Sequence, residues 1–296
     1  QTQAVFVQAT HPVTQTTNVN AGLRSQRAQS DFQTTSGAVP TSANTQKTGG
    51  SVGLMTRLTE MSTLRAGALT GFRFPNADEL YSFGRNNPYP LLEINSAVKP
   101  MATREYFLQY EQRYSSGRFS THYRHIEAAD EIAYQYDCGS VGGVAASCNS
   151  NLYDTKRSIF SLNADWKINS LSMLKGSVDF VDANISSGLN AGNQIPLTPK
   201  QVIRATYERV FQGYVMIASA HHRAEMVQAS DSSSSNPKIP SRTVMDLGLR
   251  TQFSSSISGS VWIRNAFNKS YYDFAKSNGI YPADGRGVFA NVKVGF

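Results

Sequence analysis

The chain ends on Gly287-Val-Phe-Ala-Asn-Val-Lys-Val-Gly-Phe296, and this stretch decides the fold. One set of alternate positions is apolar or small (Val288, Ala290, Val292, Val294, Phe296), and Gly287, Asn291, Lys293 and Gly295 lie between them. Because side chains alternate between the two sides of a strand, the stretch predicts a β-strand with one apolar face. A strand at a chain end needs a neighbour for its backbone N–H and C=O groups, and in a membrane this requires closure into a barrel.

The composition fits one large β domain. The 296 residues are 17% charged and 40% hydrophobic, with a mean hydropathy of −0.35. No run of about 18 apolar residues occurs, which excludes a transmembrane helix but not a membrane barrel. The net charge is +7, yet lysine and arginine form no cluster of five or more. This scatter argues against nucleic-acid binding and favours attraction of anionic ligands, or of lipopolysaccharide at the rim.

Thirteen β-strands are predicted, joined by connections that alternate between short and long. They lie near residues 3–9, 18–27, 52–59, 62–71, 103–113, 117–134, 156–167, 171–183, 200–211, 214–226, 242–253, 257–266 and 286–296. Short turns at one end and long loops at the other are typical of outer-membrane barrels. A closed antiparallel barrel in one chain needs an even number of strands, so thirteen predict part of a larger barrel. The polar stretches 29–50 and 230–236 are predicted to be solvated loops.

Alternation inside the strands predicts which side chains face lipid. In 242–253, Met245, Leu247 and Leu249 would face lipid, whereas Asp246 and Arg250 would face the lumen. Aromatic residues collect near the strand ends, as in the interfacial girdles of membrane barrels. The alternative is a secreted β-sandwich, such as a lectin or adhesin, whose aromatics form an ordinary core.

Several segments, in order along the chain, are similar to sequences of TonB-dependent outer-membrane receptors. They are residues 63–67 (TLRAG), 71–81 (GFRFPNADELY), 87–88 (NP), 98–106 (VKPMATREY), 195–200 (IPLTPK), 239–250 (IPSRTVMDLGLR), 264–272 (RNAFNKSYY), 285–286 (GR) and the terminal Phe296. The resemblance covers residues 52–296. It implies that residues 1–296 form the C-terminal part of a 22-stranded antiparallel transmembrane β-barrel in the bacterial outer membrane.

The resemblance also implies a function. Members of the family bind and import metal chelates, and a ferric siderophore is the expected ligand here. Import is driven by the TonB complex through an N-terminal plug, and neither the plug nor the TonB box is recognisable in this sequence. A passive outer-membrane porin is the alternative, and it would need an even strand number and a long inward loop. No catalytic motif, cofactor motif or metal-binding spacing is recognisable.

Other partners also follow from the resemblance. Val292, Val294 and the terminal Phe296 are similar to the signal read by the barrel assembly machinery. The alternative for this segment is an amphipathic edge strand with no targeting role. Contacts with outer-membrane lipid and lipopolysaccharide are expected, and the protein is expected to be a monomer.

Ligand-binding candidates are predicted on inward strand faces and in long loops. His221 and Arg223 share a face near a long loop, as do His122 and Arg124 in another strand. The loop candidates, which offer aromatic stacking and positive charge, are Arg73, Tyr81, Arg85, Tyr271, Tyr272 and Tyr281. The alternative is that these residues line the pore in hydrogen-bond networks, or anchor the interface. Residues 72–75 and 87–88 resemble two boxes that flank a histidine in some haem receptors of this family. No histidine lies between them here, which lowers the expectation of haem.

Cys138 and Cys148 are the two cysteines of the chain. They lie close together in a glycine-rich, loop-like segment, which predicts a disulfide in an oxidising compartment. Two free thiols are the alternative, and a metal site is disfavoured because no histidine or further cysteine lies nearby.

Overall fold

The computed structural model describes residues 1–32, 41–83, 92–94, 98–135, 140–141, 144–145, 148–276 and 279–295. The elements of the first half are β1 (Thr2–Pro12), β2 (Thr17–Phe32), β3 (Thr41–Thr59), β4 (Ser62–Arg73), α1 (Ala77–Leu80), β5 (Tyr81–Phe83), β6 (Leu92–Ile94), β7 (Met101–Tyr114), β8 (Gly117–Gln135), β9 (Ser140–Val141) and β10 (Val144–Ala145). Those of the second half are β11 (Cys148–Asn169), β12 (Ser172–Ile185), β13 (Gln201–Phe211), β14 (Tyr214–Arg223), β15 (Arg242–Gln252), β16 (Ile257–Arg264), β17 (Tyr272–Lys276), β18 (Gly279–Pro282) and β19 (Gly287–Val294). In this part of the chain no helix has the length and apolarity needed to cross a membrane.

Thirteen strands form one antiparallel sheet in which neighbours in space are also neighbours along the chain. The order is β1-β2-β3-β4-β7-β8-β11-β12-β13-β14-β15-β16-β19. The predicted number and order of the strands are therefore confirmed. Three small hairpins, β5–β6, β9–β10 and β17–β18, stand in the long connections as separate two-stranded sheets. Among the described pairings β1 contacts only β2, and β19 contacts only β16, so the sheet has two open edges.

Two stretches that were predicted to be solvated loops are more ordered than expected. Pairing between β2 and β3 continues from Gln29↔Asn44 to Phe32↔Thr41, so part of 29–50 is strand. The stretch carries no apolar alternation, but backbone ladder bonds do not depend on side-chain polarity. In the turn 230–236, Asp231 is buried and accepts hydrogen bonds from the Ser235 and Asn236 amides.

The two faces of the sheet differ in chemistry, and we call them the apolar face and the polar face. Directly paired residues share a face, so the register assigns each side chain. Leu247, Leu249 and Val261 are exposed on the apolar face, each about two-fifths or more of its maximal area. The polar face carries ion pairs between neighbouring strands, namely Arg124–Glu105 (2.7 Å), Arg118–Asp165 (2.8 Å), Lys175–Glu208 (2.7 Å) and Arg204–Asp179 (3.3 Å). Exposed apolar side chains over a whole sheet face require an apolar environment or partner.

Aromatic side chains on the apolar face form two bands. The band near the short turns contains Tyr114 and Trp166, whose ring centroids are 5.9 Å apart, together with Phe211, Tyr214 and Phe253. The band nearer the long loops contains Tyr106, Tyr123, Phe160 and Phe180, which lie in strands β7, β8, β11 and β12. Two aromatic bands at different heights are typical of the interfacial girdles of membrane barrels.

On the apolar face, the border between apolar and polar side chains crosses the rows of paired residues obliquely. In each row, residues of the earlier strands are apolar or small and those of the later strands are polar. The first row, from β1 to β11, is Val7, Leu23, Gly50, Thr70, Arg104, Glu127 and Lys156. The second row, from β4 to β12, is Ala68, Tyr106, His125, Ser158 and Asp182. The third row, from β12 to β15, is Val178, Ile203, His222 and Thr243. Strands that are tilted against a level border produce this stepwise descent.

Candidate ligand-binding site

A cavity of about 910 Å³ opens on the polar face, between strands β14, β15, β16 and β19 and the loop 265–286. Its lining side chains are His221, Arg242, Val244, Asp246, Arg264, Asn265, Tyr271, Asp284, Arg286 and Phe289, with the backbone around Pro282 and Gly285. The register explains why they meet, since His221 pairs with Val244 and Arg264 pairs with Gly287. The cavity lies at the long-loop end of the sheet, and its volume is in the range that holds small-molecule ligands.

The cavity lining carries three arginines and two aspartates, together with aromatic walls. Arg264 lies over the Phe289 ring, with 6.0 Å from its Cζ atom to the ring centroid, and Arg242 lies over Tyr271 at 4.7 Å. Among the described residues, neither Arg264 nor Arg286 forms an ion pair with a carboxylate. A planar guanidinium without a carboxylate partner can bind an anionic oxygen pair in a bidentate manner.

Two asparagines with positive φ shape the loop that closes the cavity. Asn265 and Asn268 have φ values of 49° and 51°, which asparagine tolerates better than most residues. The Asn265 side chain accepts from the Lys269 amide (2.8 Å) and donates to the Lys269 carbonyl (2.9 Å). The Arg286 amide donates to the Asn268 side chain at 2.9 Å, which fixes Arg286 at the cavity rim.

The β17–β18 hairpin is fastened beside the cavity by one carboxylate. Asp273 accepts from Arg242 through both of its oxygens, each at 2.7 Å, and from Arg223 Nε at 3.1 Å. Burial alone would raise the pKa of Asp273, but the hydrogen bonds and positive charges of Arg242 and Arg223 outweigh it and hold that pKa below its ordinary value. The carboxylate therefore stays ionised, and its ion pairs with Arg242 and Arg223 persist at neutral pH.

A small apolar core lies beneath the same hairpin. Met226, Ile239 and Ala275 are buried against one another, and Tyr272 packs on them. The Ala229 amide donates to the Ala275 carbonyl at 2.9 Å, which ties the hairpin to the loop after β14. The hairpin is thus held by an ion-pair cluster on one side and by apolar packing on the other.

The structure brings some of the predicted ligand residues together at this site and separates others from it. His221 and Tyr271 line the cavity. Arg223 is buried and binds Asp273 and the Ala224 and Pro240 carbonyls, so it braces the hairpin rather than facing the cavity. Tyr272 belongs to the apolar core described above. Tyr281 is half exposed on the hairpin, edge-on to Phe274 at 5.1 Å.

His122 and Arg124 lie on the polar face of β8, four strands away from β14, which is about 19 Å at the usual strand spacing. Arg124 forms a bidentate pair with Glu105 at 2.7 and 2.8 Å. His122 lies edge-on to the Phe107 ring, 6.1 Å between centroids. These contacts agree with the alternative of pore-lining side chains tied into networks.

The remaining predicted residues lie elsewhere. Arg73, at the end of β4, pairs with Glu79 at 2.6 Å. Tyr81 pairs with Ile94 in the β5–β6 hairpin. Arg85, Cys138 and the terminal Phe296 lie outside the described residues, and Cys148 begins β11. The loop binding surface, the disulfide and the role of Phe296 in barrel assembly therefore remain predictions.

Sequence reasoning missed Arg242, Arg264, Arg286 and Phe289 as cavity residues. Alternation along each strand predicts that such residues face the lumen. Only the register between β14, β15, β16 and β19 shows that they line the same cavity. A partial signal is present at Arg264, which precedes two asparagines at the end of a strand. Within the described residues, no group of three histidine, cysteine, aspartate or glutamate side chains could hold a metal ion.

Comparison with known proteins gives a consistent result. Residues 1–266 match the family model described as TonB dependent receptor-like, beta-barrel. No curated protein matches the chain. The structure superposes on the copper transporter OprC with a TM-score of 0.79 at 17% identity, covering 100% of this chain and 48% of that one.

Two further solved structures are similar. They are the siderophore receptor PiuA from Acinetobacter baumannii (TM-score 0.76, 17% identity, 99% of this chain and 43% of that one) and the ferric yersiniabactin uptake receptor FyuA from Yersinia pestis (TM-score 0.76, 15% identity, 100% and 45%). The chain spans less than half the length of each of these three proteins. It belongs to the TonB-dependent receptor family and forms part of an outer-membrane β-barrel, whose apolar face contacts lipid and whose polar face lines the lumen.

Proposed function

We propose that the receptor containing this chain binds and imports a metal chelate, and that the chelate is a ferric siderophore. The observation that carries the proposal is the lumenal cavity at the long-loop end. It combines two arginines that lack carboxylate partners with two aromatic walls. PiuA and FyuA bear names that describe siderophore or ferric yersiniabactin uptake, and OprC bears the name of a copper transporter.

The chemistry of the cavity suits an anionic, oxygen-rich chelate. Arg264 and Arg286 would contribute charge-assisted hydrogen bonds to its oxygens. Tyr271 and Phe289 would contribute flat apolar surface for rings or hydrocarbon arms. His221 would add a hydrogen-bonding edge. The ferric ion reaches the site inside its chelator, so the protein needs no metal ligands of its own.

The test uses the full-length receptor in a host that lacks its own siderophore receptors. Arg264→Gln and Arg286→Gln are each expected to weaken binding of a ferric siderophore by about ten- to 150-fold, the loss of one charge-assisted contact. Arg250→Gln is the matched control, because Arg250 lies on the same face of β15 but nearer the short turns. Tight binding that is equal in all four proteins would refute the cavity as the binding site.

Uptake separates the receptor from the passive porin. For a receptor, accumulation of iron-labelled siderophore saturates at low concentration and stops when the inner-membrane proton gradient is collapsed. For a porin, uptake rises linearly with concentration and continues without the gradient. The second result would overturn the proposed function even if the cavity binds the chelate.

A further inference from the structure

We propose that a groove on the lipid face of β1–β4 and β7 binds one phosphorylated acyl lipid of the outer leaflet, with its phosphate on Arg104. The groove has a volume of about 700 Å³. Its outward-facing residues are Val7, Ala9, Ala21, Leu23, Gly50, Val52, Ala68, Thr70, Arg104 and Tyr106. It lies on the opposite face of the sheet from the lumenal cavity, so it is independent of the proposed function.

Small side chains produce the groove. Ala9 pairs directly with Ala21, Val52 lies between Ala21 and Ala68 in the same row, and Gly50 lies two residues from Val52 on the same face of β3. Larger side chains stand beside these small residues, and Val7, Leu23, Val52 and Tyr106 are each more than half exposed. A channel with an apolar floor and apolar walls on a lipid-facing surface is complementary to a hydrocarbon chain.

Arg104 supplies a positive charge at one end of the groove. Among the described residues it has no ion pair or hydrogen bond. The nearest outward acid in its row is Glu127, its direct partner on β8, which pairs with Lys156 at 3.6 Å and faces His125 at 3.9 Å. A charged side chain on the lipid face is costly unless it reaches a polar partner at the interface. An anionic headgroup at this level would provide that partner.

The groove runs from the headgroup level toward the membrane interior. The row that contains Arg104 is polar toward β11 and apolar toward β1, because the tilted strands carry it from the headgroup level into the hydrocarbon. Four strand spacings separate Arg104 from Val7, which is about 19 Å at the usual spacing. A phosphate on Arg104 would therefore place an acyl chain along the groove toward the membrane interior. Charge at one end and hydrocarbon surface along the remainder favour a lipid over a protein partner.

The experiment measures lipid retention by the full-length receptor. The wild type and variants are purified in mild detergent, stripped of lipid, and mixed with vesicles that contain either phosphorylated lipid A or its dephosphorylated form. Native mass spectrometry then counts the retained lipids. Wild type is expected to retain one phosphorylated molecule, and Arg104→Gln to reduce that retention about tenfold or more. Ala68→Leu, which fills the floor without changing charge, is expected to reduce retention of the same lipid.

Two matched variants serve as controls. Arg24→Gln removes an arginine from the lumenal face, and Ala66→Leu enlarges an outward side chain one row outside the groove. Both are expected to retain the lipid like the wild type, and heat-modifiable gel mobility checks that every variant is folded. Equal retention by Arg104→Gln and the wild type would overturn the proposal. Equal retention of phosphorylated and dephosphorylated lipid, or an Arg104-dependent dimer in place of bound lipid, would also overturn it.

Discussion

Asp273→Asn is expected to release the β17–β18 hairpin without unfolding the barrel. The substitution removes the charge that three nitrogen–oxygen contacts share, two with Arg242 at 2.7 Å and one with Arg223 at 3.1 Å. Each charge-assisted contact contributes about 1.5–3 kcal/mol when well shielded. The Asp273 side chain is 44% exposed, so water replaces part of the loss. We therefore expect a net cost of about 2 kcal/mol, or an opening equilibrium about thirtyfold larger.

Hydrogen exchange of the full-length receptor measures this equilibrium. The Ala229 amide donates to the Ala275 carbonyl, and the Ala283 amide donates to the Tyr271 carbonyl at 3.0 Å. The Ala229 bond breaks when the hairpin undocks, so peptides covering Ala229 should exchange faster, whereas the Ala283 bond continues the β17–β18 ladder. Peptides from β14 and β15 should not change.

Asp284→Asn is the control, since it removes the same charge from the same loop. Among the described contacts the Asp284 carboxylate has no partner, and only its carbonyl accepts from Asn265. This control should exchange like the wild type. If Asp273→Asn also exchanges within about twofold of the wild type, the apolar core alone holds the hairpin and the reasoning on the ion pairs is wrong.

Three further outcomes are expected. The pKa of Asp273 is held below its ordinary value of about 3.9, so its stabilisation is complete above that pH and is lost as the pH falls through the lowered pKa; hairpin exchange should rise there in the wild type but not in Asp273→Asn. Leu247→Arg should lower the amount of folded receptor in the membrane, at a cost of about 2–4 kcal/mol, whereas Asn163→Arg on the lumenal face, opposite Ser120 and Ser177, should be tolerated. Gly248→Ala should lower the unfolding temperature, because its Cβ would lie 2.8 Å from the Trp262 ring, and an unchanged value would show that the ring moves freely.

The fold was largely predictable from the sequence because each strand carries its own signal. Alternation along 242–253 separated Leu247 from Asp246 without any knowledge of neighbouring strands, and the short turns supplied the strand order. The strand segments 29–32 and 41–50 were missed because they are polar on both faces, so alternation is absent and only backbone pairing defines them.

The site was less predictable because it depends on which residues of separate strands become neighbours. Periodicity placed Arg223 on the same face as His221, and this is correct. It could not show that the β17–β18 hairpin would cover Arg223 and leave His221 open. Arg264 and Arg286 lie 22 positions apart and meet only through the β16–β19 register and the Asn268 turn.

The oblique border on the lipid face has a consequence for assembly. In a soluble sheet, a slip of two residues preserves the inside–outside alternation, so hydrophobicity cannot reject it. Here such a slip between β8 and β11 would bring Lys156 to the level of His125 and carry the polar row one step into the hydrocarbon. The penalty grows with depth, toward about 2–4 kcal/mol per cation at the midplane. The bilayer therefore disfavours a strand that inserts in a shifted register. Side-chain alternation alone does not distinguish that register from the correct one.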